Sequence, residues 1–384
     1  MTKSRARAVQ AMETSMAIEL EIQLVAVVVA VACALSGVFL VLRRMALMSD
    51  AISHTVLLGI VLAFFLVRDI TSPFLIAGAA ATGVATVWLV ELLRRTQRLR
   101  EDAAIGLVFT ALFSVAVILI SRYAGSVHLD TDAVLLGEIA FAPFRRLEVN
   151  GLDLGPRTLW VMGGVLGLNV GFIALFYKEL KLSTFDPGLA AALGFSPVLL
   201  HYAFMTLVSV TAVGAFDAVG SILVVALMIA PPATAYLLAE SLRRMLLLSV
   251  AIAAAAALLG FWFAWIVDAS IAGSMTSAAG VLFLAAFLLA PHRGIVAVQR
   301  RRRRQRWEFA RLMLAIHLLH HEDTAASATE NHEDHLGAHL RWDARFAQRV
   351  IREAEEEGLL RRSPSGVLHL TDQGRLAATQ AMQV

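Results

Sequence analysis

An all-α polytopic membrane protein of about nine transmembrane helices, followed by a small α+β domain, is the fold class this sequence predicts. Three observations predict it. The 384 residues are 58% hydrophobic and only 16% charged, against about 45–50% and about 25% in soluble domains. The apolar residues gather into runs of spanning length separated by short charged breaks. After Arg300 those runs stop, and residues 307–384 carry eight Arg against twelve Asp and Glu. The organisation expected is a membrane domain at 1–299, a basic hinge at 300–306 and a soluble tail at 307–384.

The spanning runs fall at about 20–42, 51–67, 73–93, 103–121, 157–177, 197–213, 218–238, 246–268 and 274–291. The first is too long for a signal-peptide core, so no cleavable leader is expected. Arg43/Arg44, Arg94/Arg95/Arg98/Arg100, Lys178/Lys181, Arg243/Arg244 and Arg300–Arg304 fall on one side. By the positive-inside rule that side is the cytoplasm, which leaves the N-terminus outside and the C-terminus inside. Asp69, His128, Asp130, Asp132, Asp153 and Asp268 fall on the other side. Lys3, Arg5 and Arg7 fit that scheme badly. So do Arg145 and Arg146, which follow a run at 133–144 that reads as an external or re-entrant helix. Arg300–Arg304 reads as a stop and lipid-headgroup anchor.

Within the spans, Gly163, Gly167 and Gly171 form a small-residue stripe that predicts a close helix contact. Pro231-Pro232 should break or kink its helix. Asp217 lies near a membrane boundary and reads either as an interfacial turn residue or as a ligand. The single cysteine, Cys33, excludes a disulfide framework and a cysteine-based metal site. It also argues against copper(I), which prefers sulfur.

Asp50 and His54 put an acid and an imidazole into an apolar chain. Four residues apart, they share one helix face. An ionisable group inside a membrane segment points to function, and carboxylate plus imidazole is a ligand set for zinc, manganese or iron(II). A helix cap at the membrane edge, with His54 one turn inside, satisfies the same spacing. The surrounding residues favour the ligand reading. Arg43-Arg44-Met45, Asp50, Ser53-His54, Leu57 and Gly59 resemble the second membrane helix of the permeases of zinc/manganese/iron ABC importers. That resemblance implies that Asp50 and His54 line a metal path where two permease subunits meet.

The segment Tyr177–Phe195 is a second match to the same family, through Thr184-Phe185-Asp186-Pro187, Ala190 and Gly194. In the family this region docks into the nucleotide-binding subunit, which implies coupling roles for Asp186, Pro187, Ala190 and Gly194. Otherwise it is a short helix on the membrane surface. The resemblance covers roughly residues 20–291. The only lysines are Lys3, Lys178 and Lys181, and none follows a glycine, so the chain has no phosphate-binding loop of its own. A separate ABC ATPase subunit is therefore required if ATP drives it.

In the tail, Phe309, Leu312, Ile316 and Leu319 recur at helical spacing. A second amphipathic helix at 344–357 turns Phe346, Val350, Ile351 and Ala354 inward and stops at Gly358. Leu359–Leu370 reads as a hairpin turning at Ser363-Pro364-Ser365-Gly366, and Thr371 can cap a last helix. This order resembles a winged-helix domain of the diphtheria-toxin-repressor-like metal regulators. Six of the eleven His lie between 317 and 339. The pairs His317/His321 and His335/His339 are spaced to chelate a divalent ion, with Glu330, Glu333 and Asp334 close by. A solvated His-rich helix satisfies the same pattern.

Two functional readings follow. In the first, the chain is the non-enzymatic membrane permease subunit of an ATP-driven ABC importer for a divalent transition metal, manganese or zinc before iron. It would sit in a bacterial inner membrane, carry the metal as cargo and hold no cofactor. An ABC ATPase, an extracytoplasmic metal-binding protein and a second permease subunit would be its partners, with the tail regulating from the cytoplasm. In the second, it is a membrane-tethered transcription regulator that reads DNA through Arg345, Gln348, Arg349 and Arg352. The tail's net charge of −4 argues against the second, because nucleic-acid binding draws on positive charge.

Overall fold

The structure, a computed structural model, describes residues 2–68, 72, 74–123, 139–149, 151–322, 324 and 327–382. It separates into two compact units, Met1–Arg293 and Gly294–Val384.

The first unit is a helical bundle. Its helices are α1 (Thr2–Leu42), α2 (Leu47–Val67), α3 (Phe74–Arg95), α4 (Glu101–Tyr123), α5 (Arg157–Leu175), the short α6 (Tyr177–Phe185) and α7 (Pro187–Ala192), α8 (Pro197–Val219), α9 (Ser221–Leu238), α10 (Leu242–Val267) and α11 (Ile271–Leu289). Nine of these, among the described residues, are long and apolar enough to cross a membrane. Their apolar stretches, for α1 Met16–Leu42, match the sequence-derived runs to within a few residues. The largest shift is at α8, which continues to Val219 and so takes Asp217 into its last turn.

The bundle is organised around α1. In its apolar stretch, Met16–Leu42, 72% of the central window is buried, against 17% for α5. α1 packs on α5, α8, α9 and α10, while α2 lies against α3 and α4. Phe39 meets Phe204 of α8 edge-on, with ring centroids 5.6 Å apart. Polar side chains also fasten helix pairs: Thr86 donates to Thr55 at 2.8 Å between α3 and α2, and Asn169 donates to Thr211 at 2.8 Å between α5 and α8. Such bonds replace contacts that water cannot supply at this depth.

Three expectations require correction. The break expected at Pro231-Pro232 does not occur: α9 runs on through both residues, which are buried. Pro232 has no N–H, so the carbonyl of Met228 loses its helical donor. Gly37 of α1 lies against that carbonyl so closely that a Cβ there would overlap its oxygen. The neighbouring helix thus covers the defect, which is the condition under which membrane helices tolerate proline. The Gly163/Gly167/Gly171 stripe makes no close contact: a Cβ at each position would meet nothing within 4 Å among the described residues.

The third correction concerns the segment read as an external or re-entrant helix at 133–144. Its described part, Ile139–Phe144, is a short 3-10 helix, followed by a two-stranded antiparallel hairpin, β1 (Arg146–Val149) and β2 (Leu152–Pro156). Glu148 pairs with Asp153 across the two strands. Residues 133–138, Asp69, His128, Asp130 and Asp132 lie outside the described residues. The misplaced arginines are matched by acids. Arg146 bonds Asp153 and, at 3.2 Å, Glu21. Arg145 stands 3.5 Å from Asp217.

The second unit contains α12 (Ile295–His321), α13 (Ser327–Glu330), α14 (Glu333–His339), α15 (Ala344–Glu356), β3 (Leu360–Arg362), β4 (Leu368–Leu370) and α16 (Asp372–Met382). The basic stretch 300–306 lies inside α12. β3 and β4 pair antiparallel, Leu360 opposite Leu370, through a turn closed by Gly366 N–H donating to Ser363 at 3.0 Å. Thr371 Oγ1 accepts from Gly374 N–H at 3.1 Å and so caps α16. The buried face of α12 is Ala310, Leu314, Ala315 and Leu318. Phe309 is exposed, and Ile316 and Leu319 lie at the core's margin, so the buried face does not coincide with the expected stripe. Alanines, which mark no stripe in a hydrophobicity pattern, fill half of it. On α15 the expected Val350, Ile351 and Ala354 are buried.

Candidate functional site: an acid–imidazole pair on α2 and an arginine clamp on α6

α2 starts where Arg44, in the left-handed conformation at φ 62°, turns the chain out of α1. Asp50 stands in its first turn. His54 follows one turn later, with its Nε2 3.4 Å from Asp50 Oδ1. The side chains are 43% and 27% exposed respectively, so the pair is reachable but walled on one side. The wall is aromatic: His54 lies 5.2 Å from Phe109 and 5.7 Å from Phe113 of α4. His54 Nδ1 is buried and, among the described residues, has no hydrogen-bond partner. A carboxylate and an imidazole held together in this way offer two ligand atoms to a divalent cation from one helix face. The structure does not bring Asp217 to them. That residue is 69% exposed and faces Arg145.

The second predicted segment folds as α6, α7 and the turn before α8. Asp186 is the N-cap of α7, its Oδ1 accepting from Leu189 N–H at 2.9 Å. Pro187 takes the first helical position, where its missing N–H leaves nothing unbonded. Ala190 is fully buried. Gly194 has φ +87°, and Phe195 N–H returns to the Ala190 carbonyl at 3.1 Å. That left-handed residue stops the helix after two turns, as glycine does most readily. Phe185, Leu189, Leu193 and Phe195 remain exposed around it.

The residue that joins these two places is Arg43, which sequence reasoning recorded only as part of the motif. Its guanidinium donates to Thr184 Oγ1 at 3.2 Å and to Ser183 Oγ at 3.1 Å, both on α6. It lies 3.3 Å from His201 Nδ1 of α8 and covers the Phe204 ring at 5.3 Å. Burial pulls Arg43 down to about 10, which leaves it charged at neutral pH. One side chain at the α1–α2 corner therefore holds the α6–α7 segment.

In the second unit the four predicted histidines do assemble. His317 and His321 have ring centroids 4.8 Å apart, His335 and His339 likewise 4.8 Å, and His317 and His339 5.9 Å. Glu330 joins both pairs. The sets His317/His321/Glu330 and Glu330/His335/His339 each bring three ligand atoms within 4.8 Å of one another. Burial holds the His317 imidazole below its ordinary value, toward its neutral, ligating form. Among the described residues these are the groups of three or more metal-ligating side chains.

Comparison with known proteins places this geometry. The model of the ABC 3 transport family matches residues 17–290. The zinc transport system membrane protein TroD of Treponema pallidum is 50% identical over 353 residues, covering 92% of this chain and 96% of that protein. That alignment is longer than the first unit and so extends into the second. The manganese transport system membrane protein MntD of Bacillus subtilis is 48% identical over 265 residues, 69% of this chain and 90% of that one. The solved structure of PsaBC from Streptococcus pneumoniae in complex with Fab is 30% identical. It superposes with a TM-score of 0.61 over 73% of this chain and 94% of that chain. This chain belongs to the ABC 3 transport family.

Proposed function

We propose that the chain is the membrane permease subunit of an ATP-driven importer for a divalent transition metal ion, manganese or zinc before iron. The observation that carries this reading is the Asp50–His54 pair, 3.4 Å apart on an apolar helix, in a chain whose relatives are named for zinc and manganese transport. The ion passes as cargo. Asp50 and His54 bind it transiently, and a second permease copy faces the same path to complete its ligands. An extracytoplasmic metal-binding protein delivers the ion. A separate ATPase subunit supplies the energy, docking on α7 and its exposed apolar rim. Arg43 transmits movement between that dock and α2.

The positive charge that gathers on one side of the spans supports a cytoplasmic location for α6, α7 and the second unit. The order α12, α14, α15, β3–β4, α16 supports a winged-helix reading of the tail. Its negative charge and the family of the membrane domain favour regulation of transport over DNA reading.

Radiolabelled manganese and zinc uptake into vesicles containing the assembled transporter tests the pathway. Asp50→Ala and His54→Ala should each lower uptake by about two orders of magnitude or more, as expected when a required ligand is lost. Insertion and ATPase assembly should stay intact. Uptake at the unmutated level in either variant removes the pair from the pathway.

A further inference from the structure

Glu330 was not predicted as a ligand, yet both histidine pairs of the second unit converge on it. His335 Nδ1 lies 3.4 Å and His339 Nε2 3.3 Å from the same oxygen, Glu330 Oε2. These separations match the edge of a tetrahedral zinc site, where ligand atoms at about 2.0–2.1 Å from the ion stand about 3.3–3.4 Å apart. Glu330 Oε2 and His335 Nδ1 are nevertheless buried and, among the described residues, without a hydrogen-bond partner. A carboxylate oxygen and an unprotonated imidazole nitrogen are both acceptors, and two buried acceptors face to face are unfavourable unless a cation or proton lies between them. His317 approaches from α12 and makes its own 3.2 Å contact with the Glu330 backbone carbonyl. Imidazole and carboxylate without thiolate suit zinc, manganese, iron(II) or nickel.

The residues after Glu330 carry the hairpin. Leu368 N–H donates to the Asn331 carbonyl at 2.9 Å, and Glu333 N–H donates to Gly366 at 3.1 Å. His332 bridges to Val367, and Arg362 of β3 stands 2.9 Å from Glu333. A group that fixed Glu330 to α12 and α14 would fix the backbone on which β3–β4 hangs.

We propose that Glu330, His335 and His339, completed by His317 and His321, form a divalent transition-metal site whose occupancy secures the β3–β4 hairpin to α12. This deepens the regulatory reading of the tail and rests on it for its purpose. The ion itself needs only these five side chains.

The test uses the full-length chain with Asp50→Ala and His54→Ala in place, so that the membrane pair contributes no binding. The protein is stripped with chelator, titrated with zinc sulfate or manganese chloride, desalted and assayed by elemental mass spectrometry. About one equivalent or more should remain bound. His320→Gln, which removes an adjacent imidazole outside the set, should keep it. Glu330→Gln should weaken binding about tenfold or more, and His335→Gln with His339→Gln should abolish it. Circular dichroism and gel-filtration elution without metal should be unchanged in all variants. If one of them misfolds, Glu330→Asp provides the same comparison with the carboxylate withdrawn by one methylene. With added zinc, amide exchange at Glu333 and Leu368 should slow in the parent and not in Glu330→Gln. Absence of bound metal in the Asp50/His54 background, or binding and exchange indifferent to Glu330→Gln, overturns the site. Failure of the transport reading would register separately, as normal uptake by the Asp50 and His54 variants.

Discussion

Arg43 brings a full charge into a half-buried niche, and its partners lie 140 to 158 residues further along the chain. Hydrogen bonds to a charged donor each contribute about 1.5–3 kcal/mol. Arg43→Ala should therefore destabilise the assembled protein by roughly 2–4 kcal/mol, read as a lowered melting temperature in detergent. Under the proposed coupling role it should also leave ATP hydrolysis running while metal uptake falls. Arg43→Lys should recover only part of the uptake, because one ammonium cannot reach Ser183, Thr184 and His201 together. Equal loss of hydrolysis and uptake in Arg43→Ala would assign the residue to folding alone. Burial leaves Arg43 protonated far above neutrality, at about 10, so this contact should not titrate between about pH 6 and 9. The Asp50–His54 pair was legible in the sequence because a four-residue spacing is a local property of a helix. The Arg43 clamp was not, since nothing within a few residues of Arg43 announces Ser183 or Thr184. Glu330 was seen only as a neighbour, because its convergence with two histidine pairs depends on how three helices meet.

At the level of elements, α7 is six residues long and is held by its two ends. Asp186 starts it and Gly194 stops it. A side chain at φ +87° costs about 1–2 kcal/mol, and loss of an N-cap about 1 kcal/mol. Gly194→Val and Asp186→Lys should therefore fray α7 while leaving the spans intact. If α7 is the ATPase dock, co-purification of that subunit should drop and hydrolysis should uncouple from uptake. Undiminished yield together with normal uptake in both variants would place the dock elsewhere. The capping residues were readable because proline and glycine speak locally. The hairpin at 146–156 was not readable, since each strand is only four or five residues long and follows an apolar run that reads as helix. The glycine stripe of α5 marks a smooth face, but no described residue packs closely on it. Spacing shows that a helix has a smooth face and not what covers it.

Across the whole molecule, length and hydropathy sufficed for the number and order of the spans, because crossing a bilayer imposes a length on every helix. The packing order was beyond them. Hydropathy marks both α1 and α5 as spans, α1 the more apolar, but does not say that one is the axis of the bundle and the other its margin. The break expected at Pro231-Pro232 does not occur for a related reason: a rule about an isolated helix omits the helix next door. The contact that corrects it also bears on how the protein moves. The Met228 carbonyl lacks the donor that residue 232 would supply were it not proline, and Gly37 lies hard against it. α1 and α9 are in effect riveted, and any rocking that opens the path to alternate sides must carry them as one plate. Spin labels at Leu24 of α1 and Ile222 of α9, both exposed, should keep one separation with and without bound nucleotide once Cys33 is replaced by Ala. A change in that separation would mean that the rivet gives way, and that the gearing of transport runs through the first helix itself.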